Sequence, residues 1–379
     1  MKFAAQFALG VVAAVFACAP AFPQQSQIPG QHTAAPRATI EDGCTAFAWA
    51  PDGRLAFSTR HILLGRKLET QRDDIWILLP SGAKKMIFNG ERYSRYGSAF
   101  SYTVSLLRWS PDGKRLAAQL HTSQLFGDRA GVQPGEMLLM IDSDGKEINP
   151  PGAQGGVDGA VDGAWLADAE TLAFAAPASR LNPMLTLHIL RPGAIRSSAV
   201  FAGHTFASVA WFPKNNAAIA VERDASAMGH SRLALLDLVQ EDGRALATLP
   251  SYQGGLSLSP SAAHVAYFVD QETLEVRDVA NSSRSARIRV AFGQIGWAPD
   301  DSRIYVRRGE ERHDGDLVEF AIPALQENPT DADETQPRLL LGDLLIWRFK
   351  ISPDGKSVAV SQPGDRKLLL FDLMHESQR

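Results

Sequence analysis

Cysteine is almost absent from this chain: Cys18 and Cys44 are the only two in 379 residues. A fold stapled by disulfides is therefore excluded, as is a Cys-x-x-Cys metal site. The nine histidines stand singly with no His-x-x-x-His spacing, and no Gly-x-Ser-x-Gly elbow occurs. Those gaps remove the familiar zinc and serine-hydrolase signatures. An excess of one charge is missing too. The formal net charge is −4 with a pI near 6.2, so nothing electrostatic points to nucleic acid. Helical periodicity is hard to find beyond the N-terminal segment. What is present is ordinary in amount. Hydrophobic residues make up 45% and charged residues 21%, enough apolar material for a sizeable core.

The N-terminal segment reads as an export signal, residues 1–21. Lys2 supplies the positive n-region, Phe3 to Ala17 is apolar apart from Gln6, and Ala19-Pro20-Ala21 offers small residues to a signal peptidase. The apolar run is shorter than the ~20 residues that span a bilayer. Val15-Phe16-Ala17-Cys18 partly resembles a bacterial lipobox, but Phe16 is bulky where that motif takes a small residue. Ordinary cleavage is the preferred reading, and membrane contact is expected only if Cys18 is lipidated. Cys44 would then be the one cysteine of the mature chain, and its place before an apolar strand pattern suits buried packing. Residues 22–43, rich in Gln, Pro and Ala, read as a linker.

From residue 44 onward one phrase recurs. It reads Trp49-Ala-Pro-Asp-Gly-Arg-Leu-Ala, then Trp109-Ser-Pro-Asp-Gly-Lys-Arg-Leu-Ala, with looser copies at Trp165, Trp211, Leu258 and Trp297 and a last good copy at Ile351-Ser-Pro-Asp-Gly-Lys. Five of the seven Trp occupy the equivalent position, at intervals of 60, 56, 46, 47, 39 and 54 residues. Such spacing suits one four-stranded blade per repeat. The phrase is a turn: Pro fixes φ at the first corner, Asp bonds the backbone ahead, and Gly takes the positive-φ corner. A third strand follows each hairpin, from Asp74-Ile-Trp-Ile to Lys367-Leu-Leu-Leu-Phe. Seven hairpins and seven third strands predict an all-β chain, residues 44–379, folded as a single seven-bladed β-propeller preceded by a signal peptide. Trp109 is expected to pack between blades. The last blade runs short of a fourth strand, so Ala38 to Glu41 is expected to supply it and clasp the ends of the chain.

These hairpins, with the following Asp-Ile-Trp-Ile strand, resemble the WD-repeat-like blades of TolB-type propellers. Related blades occur in prolyl-oligopeptidase and dipeptidyl-peptidase propeller domains. The resemblance covers residues 44–379 and implies the fold. No TolB-type N-terminal domain and no hydrolase domain are expected here, so it implies neither activity.

Candidate chemistry is sparse. Asp142-Ser-Asp144-Gly145 superficially resembles a calcium loop but lacks the third acidic ligand and the closing bidentate Glu. It sits where a plain turn is expected, and neither a cofactor nor a metal is expected anywhere. Long loops concentrate in the first two blades, at 59–73, 90–103 and 122–135. They bring together Arg60, His61, Arg66, Arg92, Tyr93, Arg95, Tyr96 and Tyr102. Tyr and Arg give large contact area with a directed polar group, which is the make-up of a protein-binding surface. The reading is an exported, monomeric, non-catalytic propeller that binds a protein partner or scaffolds a complex in the bacterial envelope, periplasmic or secreted. The alternatives are an enzyme with a site in the central funnel, and a stand-alone propeller accessory to a peptidase system.

Overall fold

A computed structural model describes residues 35–41, 43–64, 69–91, 100–124, 135–148, 162–179, 182–194, 196–223, 230–308, 315–327, 329, 332, 336–362 and 367–373. They belong to one compact unit, His32–Arg379. Among them there is no α-helix, only a single 3-10 turn at Pro213–Asn215. The strands form five sheets of antiparallel meanders arranged as a propeller-like body.

Each meander begins at one of the recurring hairpins. The turn geometry is the one its residues dictate. In the first copy Gly53 takes φ +84° and donates to the Ala50 carbonyl at 3.0 Å, while the Asp52 carboxylate accepts the Arg54 amide at 3.2 Å. The looser copies keep the same corner without glycine. Ala169, Asn216, Ala262 and Asp301 all take φ between 51° and 60°, a conformation that costs a side-chain-bearing residue about 1–2 kcal/mol.

From the first hairpin the chain runs through Phe47–Trp49, Leu55–Leu64, Glu69–Leu78 and Lys84–Phe88. This meander joins the next, Phe100–Trp109, Arg115–Gln124 and Gly135–Asp142, through the single parallel pair Arg72↔Tyr102. The meanders starting at Asp162–Trp165 and Phe206–Phe212 are likewise joined by one pair, Leu185↔Phe206. Those starting at Gly254–Leu258, Gln294–Trp297 and Arg348–Ile351 form separate sheets.

Four features depart from the sequence reading, and the expected closing strand is present. Residues 59–73 are mostly strand, because Leu55–Leu64 and Glu69–Leu78 stay paired for ten residues from Leu55↔Leu78 to Leu64↔Glu69. The strands Arg115–Gln124 and Gly135–Asp142 shorten the 122–135 loop in the same way. Beyond Asp142, the second meander shows only the isolated bridge Ile141↔Glu147 among its described residues. A short strand after the sixth hairpin, Gln326–Glu327, crosses to pair with Arg284–Arg289 of the preceding sheet, covering an edge that would otherwise stay open. In the last sheet Ala38–Ile40 pairs with Leu368–Asp372, matching Thr39 to Leu369.

The recurring Trp side chains tie neighbouring meanders together. Trp109 Nε1 donates to the Ala48 carbonyl at 3.1 Å, Trp165 Nε1 to the Arg108 carbonyl at 2.9 Å, and Trp49 Nε1 to the Lys350 carbonyl at 3.1 Å. Trp211 donates to Asp162 Oδ2 and Trp297 to Ser257 Oγ, each at 3.1 Å. Each acceptor lies on the first strand of the meander before. Gln294 belongs to the same ring of ties, bonding Phe349 through both its donor at 2.9 Å and its acceptor at 3.1 Å. Trp109 is buried, so it is a packing residue. Cys44 is buried as well, and burial pushes its thiol up to about 12. Such a thiol is inert at neutral pH.

Candidate functional site

The junction of the first two meanders holds the described part of the surface read from the sequence. In the long strand pair Arg60 faces Asp73 and His61 faces Arg72. Asp73 is wholly buried and accepts the Val104 amide at 2.9 Å, Gln71 Nε2 at 3.2 Å and Thr45 Oγ1 at 3.3 Å. Burial pushes its carboxyl up against these bonds and against the charge of Arg60. Asp74 accepts the Gly90 amide at 2.7 Å and is also pushed up by burial. Arg72 donates to the Glu91 carbonyl at 3.0 Å, and its guanidinium lies 5.4 Å from the centre of the Tyr102 ring. His61 Nε2 stands 3.8 Å from Glu91 Oε2.

The structure therefore brings Arg60 and His61 to one edge, beside Glu91. Tyr102 must be corrected. It is fully buried on the strand Phe100–Trp109 beneath Arg72, not in an exposed loop, because pairing with Arg115–Gln124 already begins at Phe100↔Gln124. Arg66, Arg92, Tyr93, Arg95 and Tyr96 lie outside the described residues. The sequence reading missed the Arg72-Asp73-Asp74 run. Three consecutive charges at the mouth of an apolar strand were the available signal.

A second polar group gathers at the first strands. Arg108 donates through Nε to the Gly163 carbonyl at 2.8 Å and pairs through Nη2 with Asp162. Asp162 also accepts Trp211 Nε1. Lys350 lies beside this pair, its ammonium 5.7 Å from the Phe47 ring centre. Burial holds that ammonium well below the ordinary lysine range; Arg108 and Arg348 push the same way and Asp162 opposes them.

The third group is a cross-strand ladder. Tyr267, Glu275 and Arg287 stand opposite one another on three successive strands. Tyr267 donates to Glu275 Oε1 at 2.6 Å, Arg277 pairs with the same oxygen, and Arg287 Nε reaches Oε2 at 3.1 Å. A cavity of about 380 Å³ opens beside the ladder, reaching Ser251 and Asp270. Among the described residues no group of three or more His, Cys, Asp or Glu is placed to hold a metal ion.

No family model matches the chain, and no curated protein matches it. A solved structure does: the crystal structure of the Cps50 (Swd1) β-propeller domain from Myceliophteria thermophila. It superposes with a TM-score of 0.54 at 11% identity, covering 89% of this chain and 100% of that one. At that identity the likeness is one of fold, and the fold is a WD40-like β-propeller.

Proposed function

We propose that this chain is a seven-bladed propeller built of TolB-type blades, exported to the bacterial cell envelope, where it binds or scaffolds a protein partner without catalysis. The observation that carries this reading is the ring of Trp ties between first strands, running from Trp49–Lys350 through Trp109, Trp165, Trp211 and Trp297. Hydrogen bonds between neighbouring first strands make a stiff frame, and stiff frames are where variable loops carry recognition. The partner surface is the edge of the first two blades, where Arg60 and His61 border the 90–103 segment with its Arg92, Tyr93, Arg95 and Tyr96. Arg66 completes the region, and Tyr102, being buried, is left out of this surface.

The test is partner capture from the native envelope by wild type, by a variant with Arg92, Tyr93, Arg95 and Tyr96 all changed to Ala, and by Arg60→Ala/His61→Ala. Both variants are expected to melt within a few degrees of wild type and to lose the captured protein. Retention of the same partner by the fourfold variant sinks the assignment of the surface. Turnover of a substrate by the purified chain sinks the non-catalytic reading.

A further inference from the structure

The ties between first strands skip one junction. Trp109, Trp165, Trp211, Trp297 and Trp49 each reach the first strand before their own, and Gln294 bonds Phe349 of the strand after it. Leu258, which has no donor to offer, stands in the Trp place of the strand Gly254–Leu258. Among the described residues no hydrogen bond joins that strand to Phe206–Phe212 before it. Packing at this junction is looser as well. Val221 and Leu233 are buried against Tyr267, but Leu235, Leu246 and Leu258 are only half-buried. The cavity of about 380 Å³ beside the Tyr267 ladder lies here, between Leu249 and Pro250 on one side and the strand Thr273–Asp278 on the other. That volume is in the range that holds a small ligand.

The charged side chains of the wall are Arg277, Arg287, Glu275 and Asp270, and the two signs are set apart. Arg277 and Arg287 lie down the strands with Glu275, whereas Asp270 lies in the exposed turn before Thr273. Glu275 is one carboxylate for two guanidiniums, Arg277 at Oε1 and Arg287 Nε at 3.1 Å from Oε2; Arg287 has a further partner. Arg277 donates through Nε to Tyr267 Oη at 3.1 Å, through Nη1 to the Ser282 carbonyl and through Nη2 to Glu275. Those three bonds leave one N–H on each Nη of Arg277 without a partner among the described residues. At the rim, Asp270 Oδ1 accepts the Glu272 amide at 2.8 Å, and Ser251 Oγ donates to the Val269 carbonyl. Asp270 Oδ2 has no partner among the described residues.

Such a wall answers a ligand with two opposite charges held apart. Glu275 lies two residues along the strand from Thr273, about 7 Å, and the Asp270 turn comes just before it. Two extended peptide residues span about 7 Å from amino group to carboxylate. We propose that this cavity binds a zwitterionic peptide of two residues, its carboxylate on the spare Nη donors of Arg277 and its ammonium on Asp270. A free amino acid carries its charges about 3.5 Å apart and reaches one end only. Leu249, Pro250 and Val269 give apolar surface to the peptide's side chains. The site is distinct from the Arg60–His61 edge and stands whether or not that edge binds a partner.

The full-length protein is titrated calorimetrically with the dipeptide Ala-Leu, with its C-terminal amide, with its N-acetyl form and with free leucine. Saturable binding of Ala-Leu is expected, weakened about tenfold or more by amidation, which removes the charge that Arg277 holds. Acetylation is expected to weaken it several-fold, since an ion pair at the exposed rim contributes less. Asp270→Asn should weaken Ala-Leu several-fold and leave the N-acetyl form unchanged, because only the free amino group meets Asp270. Arg277→Lys keeps the charge but loses the paired Nη donors, and should weaken both forms alike. The proposal is overturned if Ala-Leu shows no saturable binding, if the amide or free leucine binds as tightly, or if Arg277→Lys binds unchanged. It is overturned equally if Asp270→Asn treats the free and acetylated forms alike, an outcome that decides the matter even if Arg277→Lys fails to fold, since Asp270 lies on an exposed turn.

Discussion

Two neighbouring blades carry the same three residue types in the same cross-strand order and use them differently. In one, Tyr267 faces Glu275, which faces Arg287; in the next, Tyr305 faces Glu319, which faces Arg338. The first ladder is closely bonded, with contacts of 2.6 and 3.1 Å and a further pairing to Arg277. The second is looser: Arg338 and Arg303 stand 3.4 and 3.6 Å from the Glu319 oxygens. They also face opposite ways. Tyr267 packs with Ile219, Val221 and Leu233 of the preceding blade, whereas Tyr305 packs with Phe349 and Val358 of the following one. The cause is a single residue. Tyr267 lies seven positions after Pro260, and Tyr305 lies six after Pro299. With side chains alternating between faces, a one-residue offset from the turn sends the whole ladder to the other side of the sheet.

The largest effect that tests this comparison is loss of the central acid. Glu275→Ala leaves Arg277 and Arg287 beside a buried void, and breaking a buried ion pair from one side costs about 3–5 kcal/mol. Glu319→Ala removes looser pairs and should cost about half as much. Urea unfolding of the two variants measures the gap. Equal losses would mean that the bonding difference between the ladders has no energetic meaning.

The next effect is in acid. Burial alone would raise the Glu275 carboxyl, but the Tyr267 hydrogen bond and the charges of Arg277 and Arg287 outweigh it and hold the group below its ordinary 4.5. A carboxyl lowered in the folded state contributes stability above its unfolded pKa, and that contribution is lost as pH falls through the folded value. The stability difference between wild type and Glu275→Gln should therefore be full at neutral pH and shrink steadily below about pH 4.5. A difference that stays constant from pH 7 to pH 3 contradicts this.

The smallest effect is at the turns of the same two blades. Ala262 and Asp301 both hold positive φ, at 60° and 59°. Ala262→Gly relieves strain and should stabilise by about 0.5–1 kcal/mol. Asp301→Gly relieves the same strain but removes the carboxylate that accepts Ser259 Oγ at 2.8 Å and also binds Ser261. It should be neutral or destabilising. Opposite signs in thermal melts support the distinction, and a shared gain removes it.

Much of the fold was readable because turns and strand alternation are local. Pro51-Asp52-Gly53 encodes its own corner, and the apolar run at Leu368 to Phe371 encodes its own strand. The expected outer strand at Ala38 to Glu41 could be placed by counting strands, and Ala38–Ile40 is paired there. The candidate site was less readable. The loops that drew attention were judged by length, and part of that length proved to be strand, which buried Tyr102. Length in a sequence does not reveal where pairing stops. That depends on whether the facing strand offers matching partners.

The sequence by itself determined the repeat, the all-β character and the position of each hairpin, since these follow from residues a few places apart. It also placed a Trp at the end of most first strands. Only the tertiary structure decided which acceptor each Trp finds, that Ala169 and Ala262 take a corner made for glycine, and that Tyr267 and Tyr305 pack against opposite neighbours. Those outcomes depend on strands distant in sequence being brought to one axis. The forces there, desolvation of a charge and the closing of hydrogen bonds across blades, exist only once the blades are packed.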